Sequence, residues 1–275
     1  LSVRGDGWWR AYALLSRGMA LANRLPIGER SLRIGRDRLY ADSVDRWLAI
    51  LSWRLGIGES EERALIASAV KPGMVTVDVG ANVGLHTLGL ARAVGPAGRV
   101  HAFEPDPGNR RLLERAVRRA GLANVILHRE ACSDRAGTLR LYASAANKGD
   151  HRTVPAPEAR RSFEIPAVAL DEALADEPHV DFVKIDVQGA EVPVLRGLAR
   201  TLERNPAIGI LVELTPKLLD FAGTTVEDFF SVPRRAGLVP HRILARGGLA
   251  PVSEEAAADE AVRSGYVNLY LKRST

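Results

Sequence analysis

The chain has 275 residues, 46% hydrophobic and 26% charged, which is enough apolar material for one large core and argues against a disordered chain. A net charge of +5 arises from 38 basic residues, five of them lysine, against 33 acids, and the lone cysteine, Cys132, excludes both an intramolecular disulfide and a cysteine-based zinc site. No apolar run approaches the roughly 20 residues of a membrane span, since Arg4, Arg10, Arg17 and Arg24 interrupt the N-terminal candidate, and no cleavable signal is read, so a reducing cytoplasmic setting is expected.

In chain order, residues 1–70 are expected to form a cap of helices and a hairpin. Residues 8–24, with Trp8, Trp9, Tyr12, Leu15 and Met19 at three-to-four spacing, read as an amphipathic helix. Ser31 to Tyr40 alternates about a Gly-Arg-Asp turn as a hairpin does. Helices near 43–54 and 59–69 follow, the second stopped by Lys71-Pro72-Gly73. From Val75 strands at 75–79, 99–103, 124–130, 180–186 and 207–213 alternate with helices at 84–94, 107–120 and 190–203, the pattern of a parallel sheet covered on both faces. In the helix at 107–120, Arg110, Arg111, Arg115, Arg118 and Arg119 alternate with Leu112, Leu113, Ala116 and Val117, which makes them a solvated face before they are a surface for RNA.

Two further strand-like stretches, 138–142 and 163–169, are joined by a polar segment, 143–162, read as a mobile loop of a length that is often functional. Beyond the fifth strand, Thr224-x-x-Glu227 reads as a capping box, and Pro233 should end or kink the helix it opens. Strands at 237–244 and 266–272, with an alanine-rich helix at 254–263 between them, close the domain, which is taken as residues 71–275.

The chemistry concentrates where strands end. Val77-Asp78-Val79-Gly80-Ala81-Asn82-Val83-Gly84 reads as a buried strand running into a glycine-rich turn and then a helix, and Glu104 ends the next strand, where a carboxylate can hold both ribose hydroxyls. A dinucleotide turn would read G-x-G-x-x-G so that a pyrophosphate could approach bare backbone. Here Asp78 would repel a pyrophosphate and attract an ammonium or sulfonium group. S-adenosylmethionine, with an ammonium, a sulfonium and a ribose, fits every charge in the two motifs. A parallel sheet finished by an antiparallel pair agrees, being the methyltransferase variant of the doubly wound, Rossmann-like α/β fold.

Two acids end the later strands. Asp186 is expected to face the acceptor, orienting it or taking its proton as general base, with Glu213 assisting from the neighbouring strand and Lys184 pairing with one of the two. The alternative roles are structural: Asp186 as a helix cap, Glu213 as a partner of Lys184, and Glu191 as an acid favoured by a helix dipole. Ser133 or Asp134 is expected at the adenine edge, with Ala131 or Cys132 against the ring, a plain turn being the alternative. No metal is assigned, although an oxygen-ligated magnesium at Asp186 and Glu213 stays open.

These blocks together resemble the FkbM family of S-adenosylmethionine-dependent methyltransferases. The resemblance rests on Val77 to Gly84, Ala102-Phe-Glu-Pro105, Phe182-Val-Lys-Ile-Asp-Val-Gln-Gly-Ala-Glu191, Val194-Leu-Arg-Gly197 and Ile210-Leu-Val-Glu213, and spans roughly residues 60 to 273. It implies O-methylation of a hydroxyl on a secondary metabolite, sugar or glycan. It also implies that Asp78, Gly80, Asn82, Gly84 and Glu104 bind the cofactor and that Asp186 faces the acceptor. Ala81, Cys132, Ser133 and Asp186 are expected to join the cofactor contacts by their place at the turn and the strand ends. Gln188 stands where the family more often has glutamate, which argues against a charged or metal-ligating role there. The alternative function is a nucleic-acid methyltransferase. It lacks the Asn/Asp-Pro-Pro-aromatic turn after the fourth strand, where Asp186 is followed by Val-Gln-Gly, and a cysteine at that strand end.

Overall fold

The computed structural model describes residues 18–19, 21–25, 27–56, 60–144, 147–154 and 161–274. Most of the helix expected over 8–24 lies outside the described residues, as do parts of the 143–162 segment. A hairpin comes first, β1 (Arg30–Ile34) and β2 (Asp37–Ala41), followed by α1 (Val44–Arg54) and α2 (Ser60–Ala69). Then β3 (Val75–Val79), α3 (Leu85–Val94), β4 (Arg99–Phe103), α4 (Pro107–Ala120) and β5 (Val125–His128) alternate. The chain next leaves the main sheet to form β6 (Ala131–Ser133), β7 (Gly137–Ala143) and β8 (Arg161–Ala169). It returns through α5 (Leu170–Ala173), β9 (Phe182–Ile185), α6 (Glu191–Arg196), α7 (Ala199–Arg204) and β10 (Gly209–Leu214). The last elements are α8 (Pro216–Phe221), α9 (Val226–Arg235), β11 (Leu238–Ile243), β12 (Leu249–Pro251), α10 (Glu254–Ser264) and β13 (Val267–Arg273).

The main sheet has eight strands in the order β12-β11-β13-β10-β9-β3-β4-β5. Strands β5, β4, β3, β9 and β10 pair in parallel, and β13 lies antiparallel between β10 and β11. The strand order reverses between β3 and β9. At such a switch point the loops leaving the two strands diverge to opposite faces and open a crevice at their carboxyl ends. Because helices cover both faces, every residue of β3 and β9 is buried, Asp78 and Lys184 included. One face packs Val77, Val79, Phe103, Val183 and Ile185 against α6 and α9 residues such as Leu195 and Phe229. The other packs Val100, Phe182 and Leu211 against Leu65 of α2 and Leu90 of α3. No helix among the described residues is long and apolar enough to cross a membrane.

Several expectations are corrected. The capping box is one residue later: the Thr225 side chain accepts from the Asp228 backbone N–H while Asp228 accepts from Thr225, and the Thr224 hydroxyl donates instead to the Leu219 carbonyl. Of the two outcomes expected at Pro233, ending the helix does not occur, since α9 continues to Arg235. The helix expected over 190–203 is two helices, broken at Gly197, where a Cβ would lie 2.0 Å from the Ser133 carbonyl oxygen and only glycine lets β6 come so close. The strand expected over 124–130 ends at His128, and the stretches at 138–142 and 163–169 join β6 in a separate three-stranded sheet.

Candidate active site

The β3–α3 and β9–α6 turns meet over the switch point. Gly80 has φ +81°, and a Cβ there would sit 2.0 Å from the Asp186 carbonyl oxygen, so the glycine serves contact between the two turns as well as approach of a ligand. Asp186 donates its backbone N–H to the Val79 carbonyl at 3.1 Å, closing that contact. Between the turns lies a cleft whose empty space, open solvent included, is about 570 Å³. Its walls include Gly80, Asn82, Phe103 and Glu104 on the β3–β4 side and Asp186, Val187 and Gln188 on the β9 side, with Ala131 and Cys132 between.

Glu104 is buried at the end of β4. One carboxylate oxygen accepts the Asn82 N–H at 2.7 Å, and the other accepts the Asp106 N–H at 2.9 Å. Burial still pushes this carboxyl up to about 7, against the opposing pull of those N–H groups. The oxygen that accepts from Asn82 keeps a lone pair for a further donor, while the other also meets the Asn109 amide at 3.4 Å. On the same wall, the Asn82 Oδ1 is buried with no hydrogen-bond partner among the described residues. A buried acceptor beside a carboxylate is what a cationic ligand rich in hydroxyls would satisfy, so these residues fit S-adenosylmethionine.

At the β9 end, burial would raise the Asp186 carboxyl, but Lys184 at 3.3 Å and the Gln188 amide, donating at 2.8 Å, outweigh it and hold the group below its ordinary range. Lys184 also lies 3.9 Å from Asp78, whose other oxygen accepts from the Thr87 hydroxyl at 2.6 Å. Glu213 follows Val212, which pairs with Ile185, so it neighbours Asp186 across the parallel strands. Burial, then the charges of Asp186 and Glu191, push Glu213 up to about 8 although the Thr215 hydroxyl donates to it at 2.9 Å. A carboxyl that keeps its proton at neutral pH can donate a hydrogen bond to a neighbouring acceptor. Glu191 is raised to about 7, mainly by burial, and accepts the N–H groups of Gly189 and Val187. The N-cap of α6 is Ala190, so Asp186 is not that helix's cap.

Of the other expected residues, Asp78, Ala81, Gly84 and Ser133 fall around the cleft and not on it. Asp78 lies under the turn, Gly84 is the N-cap of α3 packed by Leu113 and Leu88, and Ala81 is buried in the core on the hairpin side. Cys132 lines the cleft, its thiol raised by burial. Ser133 turns away, its hydroxyl 3.4 Å from Asp134.

Sequence reasoning missed Asn109, His151 and Thr153, which also line the cleft. It also missed the flat stack of His128 on Phe103, 4.1 Å between centroids, with His128 held by His101 at 3.0 Å. The segment expected to be a mobile loop contributes Gly149, His151 and Thr153 as a roof. Its described part is pinned by a buried Asp150–Arg152 pair at 2.7 Å and by reciprocal backbone hydrogen bonds between Tyr142 and Arg152. Among the described residues no group of three His, Cys, Asp or Glu side chains is arranged to hold a metal.

A reversed parallel sheet with an inserted antiparallel strand, and a strand-end carboxylate beside a glycine turn at its switch point, define a Rossmann-like methyltransferase. The chain matches the family described as Methyltransferase FkbM domain over residues 78–237. It therefore belongs to the FkbM methyltransferases, and its methyl donor is S-adenosylmethionine. Among curated relatives, the hexuronic acid methyltransferase AglP of Haloferax volcanii is 32% identical over 151 residues, 53% of this chain and 59% of that protein. The match thus spans about three-fifths of that relative's length. Two solved structures are more distant. M. jannaschii TYW2 in complex with AdoMet is 16% identical, covers 90% of this chain and 87% of its own, and has a TM-score of 0.44. Aeropyrum pernix fibrillarin with natively bound S-adenosyl-L-methionine is 16% identical, covers 92% of this chain and 86% of its own, and has a TM-score of 0.44.

Proposed function

We propose that the protein transfers a methyl group to a hydroxyl of a sugar or sugar-acid unit, as a free small molecule or within a glycan. When bound, S-adenosylmethionine supplies a methyl on a positively charged sulfur that an oxygen nucleophile displaces in line. The chain's part is to hold the donor, align the oxygen and receive its proton. Glu104 and Asn82 would take the ribose and amino-acid ends of the donor.

The observation that carries the reading is Asp186: an ionised carboxylate at the end of a dry strand, in the same cleft as Glu104, kept charged by Lys184 and Gln188. An anion so placed accepts the acceptor's O–H, aims the oxygen and stabilises the positive charge that the oxygen gains as it bonds to methyl. Protonated Glu213 beside it provides a donor for a neighbouring sugar oxygen. The relative's action on a hexuronic acid supports a sugar acceptor.

The test is incubation with methyl-labelled donor and a panel of hexuronic acids, neutral sugars, their glycosides and RNA, followed by mass spectrometry. Label in an alkali-stable ether on a sugar is the expected product. Label in RNA alone, or a methyl ester removed by mild alkali, would overturn the assignment.

A further inference from the structure

Arg46 lies in α1, 32 residues before the stretch that matches the family, and is buried at 4% exposure. Its Nε donates to the Asn109 Oδ1 at 3.0 Å and its Nη2 donates to the same oxygen. The guanidinium also pairs with Asp42 and lies 3.7 Å from Asp106. An arginine only donates, so two N–H groups on one oxygen force the Asn109 amide to present its NH2 on the opposite side. That NH2 donates to the Lys148 carbonyl at 3.1 Å and stands 3.4 Å from the Glu104 carboxylate. The same helix reaches the roof a second time: Asp45, also buried, accepts the Lys148 N–H at 2.6 Å. Beside this peptide, Gly149 packs on Asn82, where a Cβ would come within 3.0 Å of the Asn82 amide nitrogen.

We infer that Arg46 and Asp45 are positioning residues for the methyl donor: the cap, through Asn109 and the Lys148 peptide, orients Glu104 and fastens the roof of the cofactor cleft. Without Arg46 the Asn109 amide is free to turn its oxygen toward Glu104, setting acceptor against acceptor. Without Asp45 the Lys148 N–H loses its acceptor. The inference rests on the cofactor and is independent of the acceptor's identity.

Calorimetric titration of the full chain with S-adenosylhomocysteine tests it, alongside steady-state KM values for donor and acceptor. Arg46→Met should weaken binding about tenfold, the scale of one charge-assisted hydrogen bond. Asn109→Ala should weaken it similarly, and Asp45→Ala by about threefold or more. Donor KM should rise in parallel while acceptor KM stays within about twofold, a split that a general loss of stability would not produce. Since Arg46 acts through Asn109, Arg46→Met combined with Asn109→Ala should bind no worse than the weaker single variant. Additive losses, or variants that bind within twofold of the parent, would overturn the inference. Should Arg46→Met fail to fold, Asn109→Ala and Asp45→Ala decide the question by the same criterion.

Discussion

Glu104 and Asp186 each terminate a buried parallel strand beside the same cleft, yet one is lifted to about 7 and the other is held below the ordinary carboxylate range. Glu104 is almost fully buried at 5% exposure whereas the Asp186 side chain is 37% exposed, and their neighbours widen that difference. At the β4 end the partners are backbone N–H dipoles and the Asn109 amide, which offset burial only in part. At the β9 end a full positive charge, Lys184, stands 3.3 Å away. Three carboxyls, Asp186, Glu191 and Glu213, interact with one another, and Lys184 pairs with the first. Like charges so close cannot all ionise in a dry site. Asp186, paired directly, keeps its charge, and Glu213 takes the proton. On the proposed assignment, the β4 end would be completed by the cofactor's donors, and the β9 end would be charge-sorted before any acceptor arrives.

The strongest way to break this comparison is to remove the charge that Lys184 holds in place. Asp186→Asn keeps the shape and the Gln188 contact while removing the anion. Turnover should fall by roughly two to three orders of magnitude, within the range seen for lost acid–base groups. Binding of S-adenosylhomocysteine should stay within about threefold, because that ligand leans on the β3–β4 side. Single-turnover methyl transfer and calorimetry separate the two readings. Normal turnover would make Asp186 a structural partner of Lys184.

A smaller effect sharpens the other side. Hydroxyls that donate to Glu104 favour its ionised form, so binding of the cofactor drives off a proton. Affinity for S-adenosylhomocysteine should therefore climb from pH 6 toward pH 8, by up to about tenfold per unit below the carboxyl's value near 7, and level off above it. Glu104→Gln should lower affinity about tenfold at pH 8 and flatten the pH dependence. The unliganded protein should behave oppositely. Glu104, Glu191 and Glu213 have folded values above the unfolded 4.5, so the native state binds more protons and its stability declines as pH rises through 7 to 8. His128, lowered to about 4, opposes this only below pH 6.5. Melting temperatures measured with and without ligand across pH 6.5 to 8.5 should diverge.

Much of this layout was legible in the sequence because it is carried by short apolar strands and the residues that end them. Val75 to Val79 with Gly80 and Glu104 are local signals, and the antiparallel finish followed from the order of elements. What escaped was set by distance in space. Asn109 becomes a site residue only because Arg46 reaches it from 63 positions away. His151 and Thr153 belong to a segment whose polar composition reads as loose, since its anchors, Asp45 and the Tyr142 backbone, are remote in sequence or non-specific in type. The one-residue slip of the cap at Thr225 arose because Thr224 and Thr225 both precede an acid by three positions, and only packing of Thr224 onto Leu219 chooses between them. The protonation of Glu213 was hidden for a related reason: strand order brings it beside Asp186 and Glu191, and residue type alone names all three as anions.

The least disruptive substitution should be at Glu213, and its mildness is the sharpest contrast with Asp186. If the carboxyl is neutral near pH 7, glutamine reproduces its size, its neutrality and a donor in place of the acid proton. Glu213→Gln should then leave turnover at pH 7 within about threefold of the parent and S-adenosylhomocysteine affinity unchanged, since a neutral-for-neutral exchange disturbs no charge. Above pH 8 the two proteins should separate. The parent must ionise a group crowded by Asp186 and Glu191 and should lose activity, whereas the variant has nothing to titrate there and should hold its rate. A pH–rate comparison from 6.5 to 9 measures this directly. A loss at pH 7 as deep as that of Asp186→Asn would show that Glu213 carries charge in the working enzyme and that Lys184 is shared between the two acids.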